Sequence, residues 1–191
     1  MTEMRVPVPE ITDAMRQHAR ANPNKKVYVV DPEFNADGRV PGWGIRGAFP
    51  VSPDGQISTD SYTPNPNYRP GPKVCGFPEP TNAVERALEL AATGYGPETA
   101  LISALAGNSA VLVIPTEPGH PEHISIATDD AGEPALYAYT SISRLPASLS
   151  SYQEVPVRGL LAALRECHLI LNAGSVPSVK LPGNDIATAI G

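Results

Sequence analysis

Residues 110–141 read AVLVIPTEPGHPEHISIATDDAGEPALYAYTS, and three strand-like runs lie within them. Ala110 to Ile114 is apolar and rich in β-branched residues, and it stops at Pro115, which has no N–H to give to a ladder. His123 to Thr128 alternates through Ile124 and Ile126. Ala135 to Thr140 alternates again, with Leu136, Ala138 and Thr140 on one side and Tyr137 and Tyr139 on the other. Asp129-Asp130-Ala131-Gly132 suits a tight reversal between the last two runs. Pro118-Gly119-His120-Pro121 breaks the chain between the first two. The pattern predicts a three-stranded meander in one antiparallel or mixed sheet, with helices burying their apolar stripes on one face.

Working outward, the helical stripes are legible on both sides of that stretch. Val84, Ala87, Leu88 and Ala91 give an apolar face to Thr81–Thr93, with Thr81 as a cap and Gly94 as the stop. Pro97 opens a second helix through Ala106, with Leu101, Ile102 and Leu105 inward. Ser148 to Gln153 reads as loop. Pro156 opens a third helix over 156–165, its stripe formed by Val157, Leu160, Leu161 and Leu164. His168 to Asn172 reads as a short buried strand, Ser178 to Leu181 as an edge strand, and Asp185 to Ile190 as a last helix capped by Asn184.

Toward the N-terminus, Ile11 to Ala21 predicts a helix with Ile11, Ala14, Met15 and His18 on one face and Thr12 or Asp13 as its cap. Lys26–Asp31 and Trp43–Phe49 read as strands, with a turn expected at Asp37-Gly38. Ser52-Pro53-Asp54-Gly55 is a strong turn signal and predicts a hairpin to a short strand at Gln56-Ile57-Ser58. Residues 62–80, YTPNPNYRPGPKVCGFPEP, are interrupted by proline too often for a helix or a central strand. Tyr62, Tyr68 and Phe77 make this segment an ordered strap docked on a surface, since a solvated linker has little use for three aromatics. The fold class expected is therefore α+β, with a proline-rich, strand-containing portion over 1–76 and an α+β domain over 77–191.

The totals narrow the function. The chain has 191 residues, 22 prolines and a formal net charge of −6. An acidic chain with few charges lacks the cationic surface that nucleic acids and anionic membranes demand. No apolar run approaches the roughly 20 residues of a membrane span, and MTEMRVPVPE lacks a signal-peptide apolar segment. These features lead us to expect a cytoplasmic protein. Cys75 and Cys167 read as reduced thiols, without a CxxC or histidine neighbour to activate them.

Candidate chemistry is sparse. His120 and His123 lie near Glu117 and Glu122, but prolines at 118 and 121 make this a surface loop and not a metal site, which needs three or four convergent ligands. Asp129 and Asp130 sit at a hairpin tip, where turn formation explains them. Ser148, Ser150 and Ser151 have no nucleophile elbow and no base. Gly42-Trp43-Gly44 is not continued into either nucleotide fingerprint. We expect no catalytic residue, cofactor or metal. Core packing is the default for Trp43, and Arg69 has two readings, a solvated or stacked arginine and a site for an acidic partner. Binding needs only a few aromatic or arginine anchors, and Trp43, Tyr68 and Arg69 are the candidates.

The second half resembles the SseB-type N-terminal domain of bacteria. The resemblance rests on the helical opening 83–106, Val-Leu-Val-Ile-Pro at 111–115, Leu-Tyr-Ala-Tyr-Thr-Ser at 136–141, Leu-Ile-Leu-Asn-Ala-Gly-Ser at 169–175 and Val-Lys-Leu-Pro at 179–182. The family's aromatic-Thr-Ser step is matched by Tyr139, Thr140 and Ser141. Its Asn-Pro-Gly turn is matched by Asn172 and Gly174, with Ala173 in place of the proline. The first half is similar to actinobacterial proteins associated with type VII secretion, through Val40-Pro41-Gly42-Trp43, Gly47, Asp54-Gly55 and Asn65-Pro66-Asn67-Tyr68-Arg69-Pro70. The resemblance continues at Pro80-Thr81 and 91–96. It implies no enzymatic activity. It implies an accessory protein that binds a protein partner, a type VII secretion component or a cargo. Two other classes stay open: a small-ligand module or enzyme with an unrecognised site, and an immunity-type protein against a secreted toxin.

Overall fold

The computed structural model describes residues 7–35, 38–120 and 123–191. The chain divides into two compact units that meet in sequence at Gly76 and Phe77. Of the turn expected at Asp37-Gly38, Asp37 lies outside the described residues. The fold is α+β, with five α-helices and both antiparallel and mixed sheets among the described residues.

In the first unit, α1 (Asp13–Ala21) is capped by Thr12, whose side chain accepts from Met15 N. Its buried side is Ile11, Met15 and Ala19, one residue every fourth. Ala14 and His18, expected on that side, are exposed. β1 (Lys26–Val30), β2 (Ile45–Pro50) and β3 (Thr63–Pro64) form an antiparallel sheet in that order. Phe49, Val27, Val51, Ala19 and Ile57 are its small core. Trp43 belongs to a 3-10 turn, Gly42–Gly44, and not to the strand that follows it. The Ser52–Gly55 turn forms: Ser52 N donates to Gln56 O at 3.0 Å, and Gly55 takes a φ of +77° that favours glycine. No strand follows at 56–58, however. β2 pairs instead with β1 and with Thr63-Pro64, so the predicted hairpin gives way to longer-range pairings.

The strap is ordered. The Tyr62 ring lies 4.9 Å from Phe49, and Asn65 Nδ2 donates to Gly42 O (2.8 Å) and Ile45 O (2.7 Å). Phe77 belongs to the second unit.

In the second unit, α2 (Ala83–Thr93) and α3 (Glu98–Ala106) bury Val84, Leu88, Leu101 and Leu105. β4 (Val111–Pro115) pairs antiparallel with β7 (Tyr152–Pro156) as a two-stranded sheet. β5 (Ala127–Thr128), β6 (Pro134–Ala138), β8 (His168–Leu171) and β9 (Val179–Pro182) form a second, mixed sheet in that order, with β6 and β8 parallel. The expected single meander is thus overturned. β4 belongs to another sheet and, among the described residues, its backbone pairs with the β6 chain only at an isolated bridge between Val113 and Tyr139. The second run is strand at Ala127–Thr128 only. The reversal after it forms as expected, with Asp129 Oδ1 accepting from Ala131 N and Glu133 N.

Residues 152–156 supply β4's partner, although the sequence predicts loop over Ser148–Gln153 and the start of a helix at Pro156. The third helix is shorter than 156–165: a 3-10 turn, Val157–Leu160, leads into α4 (Leu161–Leu164). Leu112, Ile114, Leu136, Leu169, Leu171 and Leu181 meet the helices in one core. α5 (Gly183–Ile190) closes the unit. A Cβ added at Gly183 would fall 2.3 Å from the carbonyl oxygens of both Leu164 and Cys167, which are backbone and cannot swing aside. Gly183→Ala should therefore cost about 1–3 kcal/mol in urea unfolding followed by far-UV circular dichroism. A variant as stable as wild type would show that α5 shifts freely.

Candidate functional site

The three anchor candidates come together. Arg69 N donates to Trp43 O at 3.0 Å, and the Arg69 guanidinium lies 5.9 Å above the Trp43 ring, within cation–π range. Phe34 meets the same ring edge-on, with centroids 5.4 Å apart. Gly42, Trp43, Asn65, Pro66, Asn67, Tyr68 and Arg69 line an open cleft of about 670 Å³. Trp43 is half-buried and Arg69 exposed, so core packing is not the whole of the tryptophan's role. Tyr68 plays a different part. Its hydroxyl donates to Oδ2 of the fully buried Asp31 at 2.5 Å, and Gly71 N donates to the same oxygen at 2.9 Å. Asp31 Oδ1 accepts from Glu33 N at 2.9 Å. Tyr68 thus ties the strap to the residue that follows β1 while also lining the cleft.

The second unit holds a charged cluster the sequence reading missed. Glu85 is 3% exposed and Arg144 9%. Arg144 grips the carboxylate with both ends of its fork, Nη2 to Oε2 at 3.1 Å and Nε to Oε1 at 3.3 Å. Oε1 also accepts from Ser141 Oγ (2.6 Å) and from Thr140 Oγ1 (3.1 Å), and Oε2 accepts from Thr81 N (2.8 Å). Burial pushes the Glu85 carboxyl up, but the Arg144 guanidinium, the Ser141 hydroxyl and the Thr81 N–H outweigh it and hold it at about 2. Asn82, not Thr81, caps α2: its Oδ1 accepts from Glu85 N (2.9 Å), and its Nδ2 reaches Thr140 O (2.9 Å). Asn172, held at a φ of +55°, accepts from Thr140 N at 2.9 Å. The Asn82-x-x-Glu85 spacing of a capping box was the available signal.

A carboxylate with both oxygens saturated by donors has no proton to give near neutral pH and no free lone pair to take one. Glu85 is a clamp joining the start of α2 to the Thr-Ser step that follows β6, and Thr140 of that step is held in turn by Asn172 after β8. The SseB protein N-terminal domain family matches residues 84–188. The chain belongs to the SseB family. The match spans Glu85, Arg144 and Asn172 of the SseB unit, while the Trp43–Arg69 cleft lies outside it. No curated protein and no solved structure matches the chain.

The remaining candidates stay apart. The His120 and His123 rings stack with centroids 5.4 Å apart, and Glu122 lies outside the described residues. Among the described residues, no group of three or more His, Cys, Asp or Glu is placed to hold a metal ion. Both cysteines are free thiols. Burial pushes each thiol up, with the charge of Asp31 adding to the effect at Cys75. Neither is tuned as a nucleophile, which needs the opposite shift. Among the described residues, no helix is long and apolar enough to cross a membrane.

Proposed function

We propose that this SseB-family chain is a non-enzymatic accessory protein that captures a protein partner in the cleft between Trp43 and Arg69. The carrying observation is the Arg69 guanidinium set over the Trp43 ring, with both residues lining that cleft. Arginine and tryptophan are the residue types that dominate binding hot spots. Asn65 and the Asp31–Tyr68 bond hold the cleft walls before any partner arrives, which lowers the ordering cost of binding. The likeness of Val40–Trp43 and Asn65–Pro70 to actinobacterial proteins associated with type VII secretion supplies the setting: a cytoplasmic protein whose partner is a secretion component or its cargo. The saturated Glu85 and the two unactivated thiols favour binding over turnover.

Affinity capture from the native host, with wild-type and Arg69→Glu chains side by side, tests the reading. The partner should be lost with Arg69→Glu and retained with Arg158→Glu, a charge reversal at an exposed site in the other unit. The loss should exceed about 1 kcal/mol, since an anchor is being removed. An unchanged partner set with folded Arg69→Glu would sink the assignment, and robust turnover of a metabolite by the purified chain would sink the non-enzymatic reading.

A further inference from the structure

In the SseB unit, backbone pairing between β4 and the chain after β6 stops after a single bridge. β4 spends its even-numbered main-chain groups on β7: Val157 N donates to Ala110 O and Thr116 N to Ser151 O, both at 3.0 Å. The N–H and C=O of Val111 and Val113 therefore face the opposite way. Val113 uses both on Tyr139, in a reciprocal pair of 2.8 Å bonds. The same antiparallel register would set Val111 against Ser141. That pair is not made, because the chain turns at Ser141 into the 3-10 turn Ile142–Arg144, and the bridge at Val113 stands alone.

A groove of about 460 Å³ opens at the gap, with Val111, Ile142, Ser109, Ser141, Ser143 and Glu154 among its lining residues. Val111 and Ile142, 42% and 48% exposed, both line it and give it an apolar floor. Glu154 is the only charged side chain among the described residues that line it. The Ser141 wall is fixed from behind by its bond to Glu85.

We propose that this groove binds an extended basic peptide segment of a partner protein. The segment's main chain takes up the strand position opposite Val111 that Ser141 vacates, as in β-strand addition. An apolar side chain rests on Val111 and Ile142, and a neighbouring lysine or arginine reaches Glu154. An acidic segment would meet Glu154 as a like charge and is excluded. The proposal stands independently of the Trp43–Arg69 cleft, which belongs to the other unit.

The test is selection of a phage-displayed random octapeptide library on the immobilised full chain, followed by NMR titration of the full chain with the synthesised winners. Enriched peptides should alternate apolar residues with lysine or arginine, and should shift the amides of Val111 and of Ser141–Ser143. Glu154→Lys, at an exposed position, should weaken them about tenfold or more, the loss expected when a charge partner is reversed. Overturning results are no enrichment, acidic winners, equal binding to Glu154→Lys, or shifts confined to other surfaces. Concentration-dependent broadening of the same amides without peptide would make a second copy of the chain the occupant, and would overturn the proposal as well.

Discussion

Arg144→Met should destabilise the SseB unit by about 3–5 kcal/mol, the loss expected when one partner of a buried ion pair is removed. The variant strands Glu85, 3% exposed, without its counter-charge, and also frees the carbonyls of Pro78 and Glu79 that Arg144 Nη2 reaches at 3.3 and 3.4 Å. Adding Glu85→Leu should recover much of the loss, because an apolar pair of similar volume carries no desolvation penalty. The pH dependence has a definite sign. Glu85 is held at about 2 against an ordinary 4.5, so the unfolded chain takes up the proton first. Its contribution to stability is complete above about pH 4.5 and is lost as pH falls toward 2. Far-UV circular dichroism in urea at several pH values should show a shallower acid loss for Arg144→Met than for wild type. Equal slopes would mean that Arg144 is not what holds the carboxyl down.

Asp31→Ala should cost the first unit about 3–5 kcal/mol. Three donors converge on this fully buried side chain, from Glu33, Tyr68 and Gly71, and hydrogen bonds to a charged group contribute about 1.5–3 kcal/mol each before relaxation offsets part of them. Tyr68→Phe removes one donor and should cost about 1–3 kcal/mol. The readout is built in, because Trp43 is the sole tryptophan and lies in this unit, so its fluorescence follows the first unit alone. Proteolysis between Tyr62 and Gly76 should also become faster in Asp31→Ala. An unfolding midpoint unmoved by Asp31→Ala would show that the strap is held by its aromatic packing and not by this carboxylate.

The sequence revealed whatever local pattern controls. The Val84/Leu88 stripe, the apolar run at 169–171 and the Asp129–Gly132 reversal are all where periodicity and turn chemistry put them. It hid what distant pairing controls. Tyr152–Pro156 alternates between exposed and half-buried positions, and it reads as the end of a loop and the start of a helix until β4 is known to need a partner. The central strand, Pro134–Ala138, takes its parallel neighbour from beyond α4, a pairing no nearby residue announces. The site divides the same way. Trp43, Tyr68 and Arg69 stood out by residue type. Asp31 and Glu85 are ordinary acids at a strand end and a helix start until Tyr68 and Arg144, far along the chain, bury them.

The parallel pairing of β6 with β8 also bears on the order of events during synthesis. β6 emerges from the ribosome before β8 and β9 do, so until the last stretch of the unit emerges it offers an unsatisfied edge carrying Leu136 and Tyr137. Non-local strand pairing of this kind is slow and leaves nascent chains open to wrong partners. A nascent chain halted with Glu166 just outside the exit tunnel should therefore be collapsed and aggregation-prone, and the unit becomes safe only when its C-terminal strands emerge.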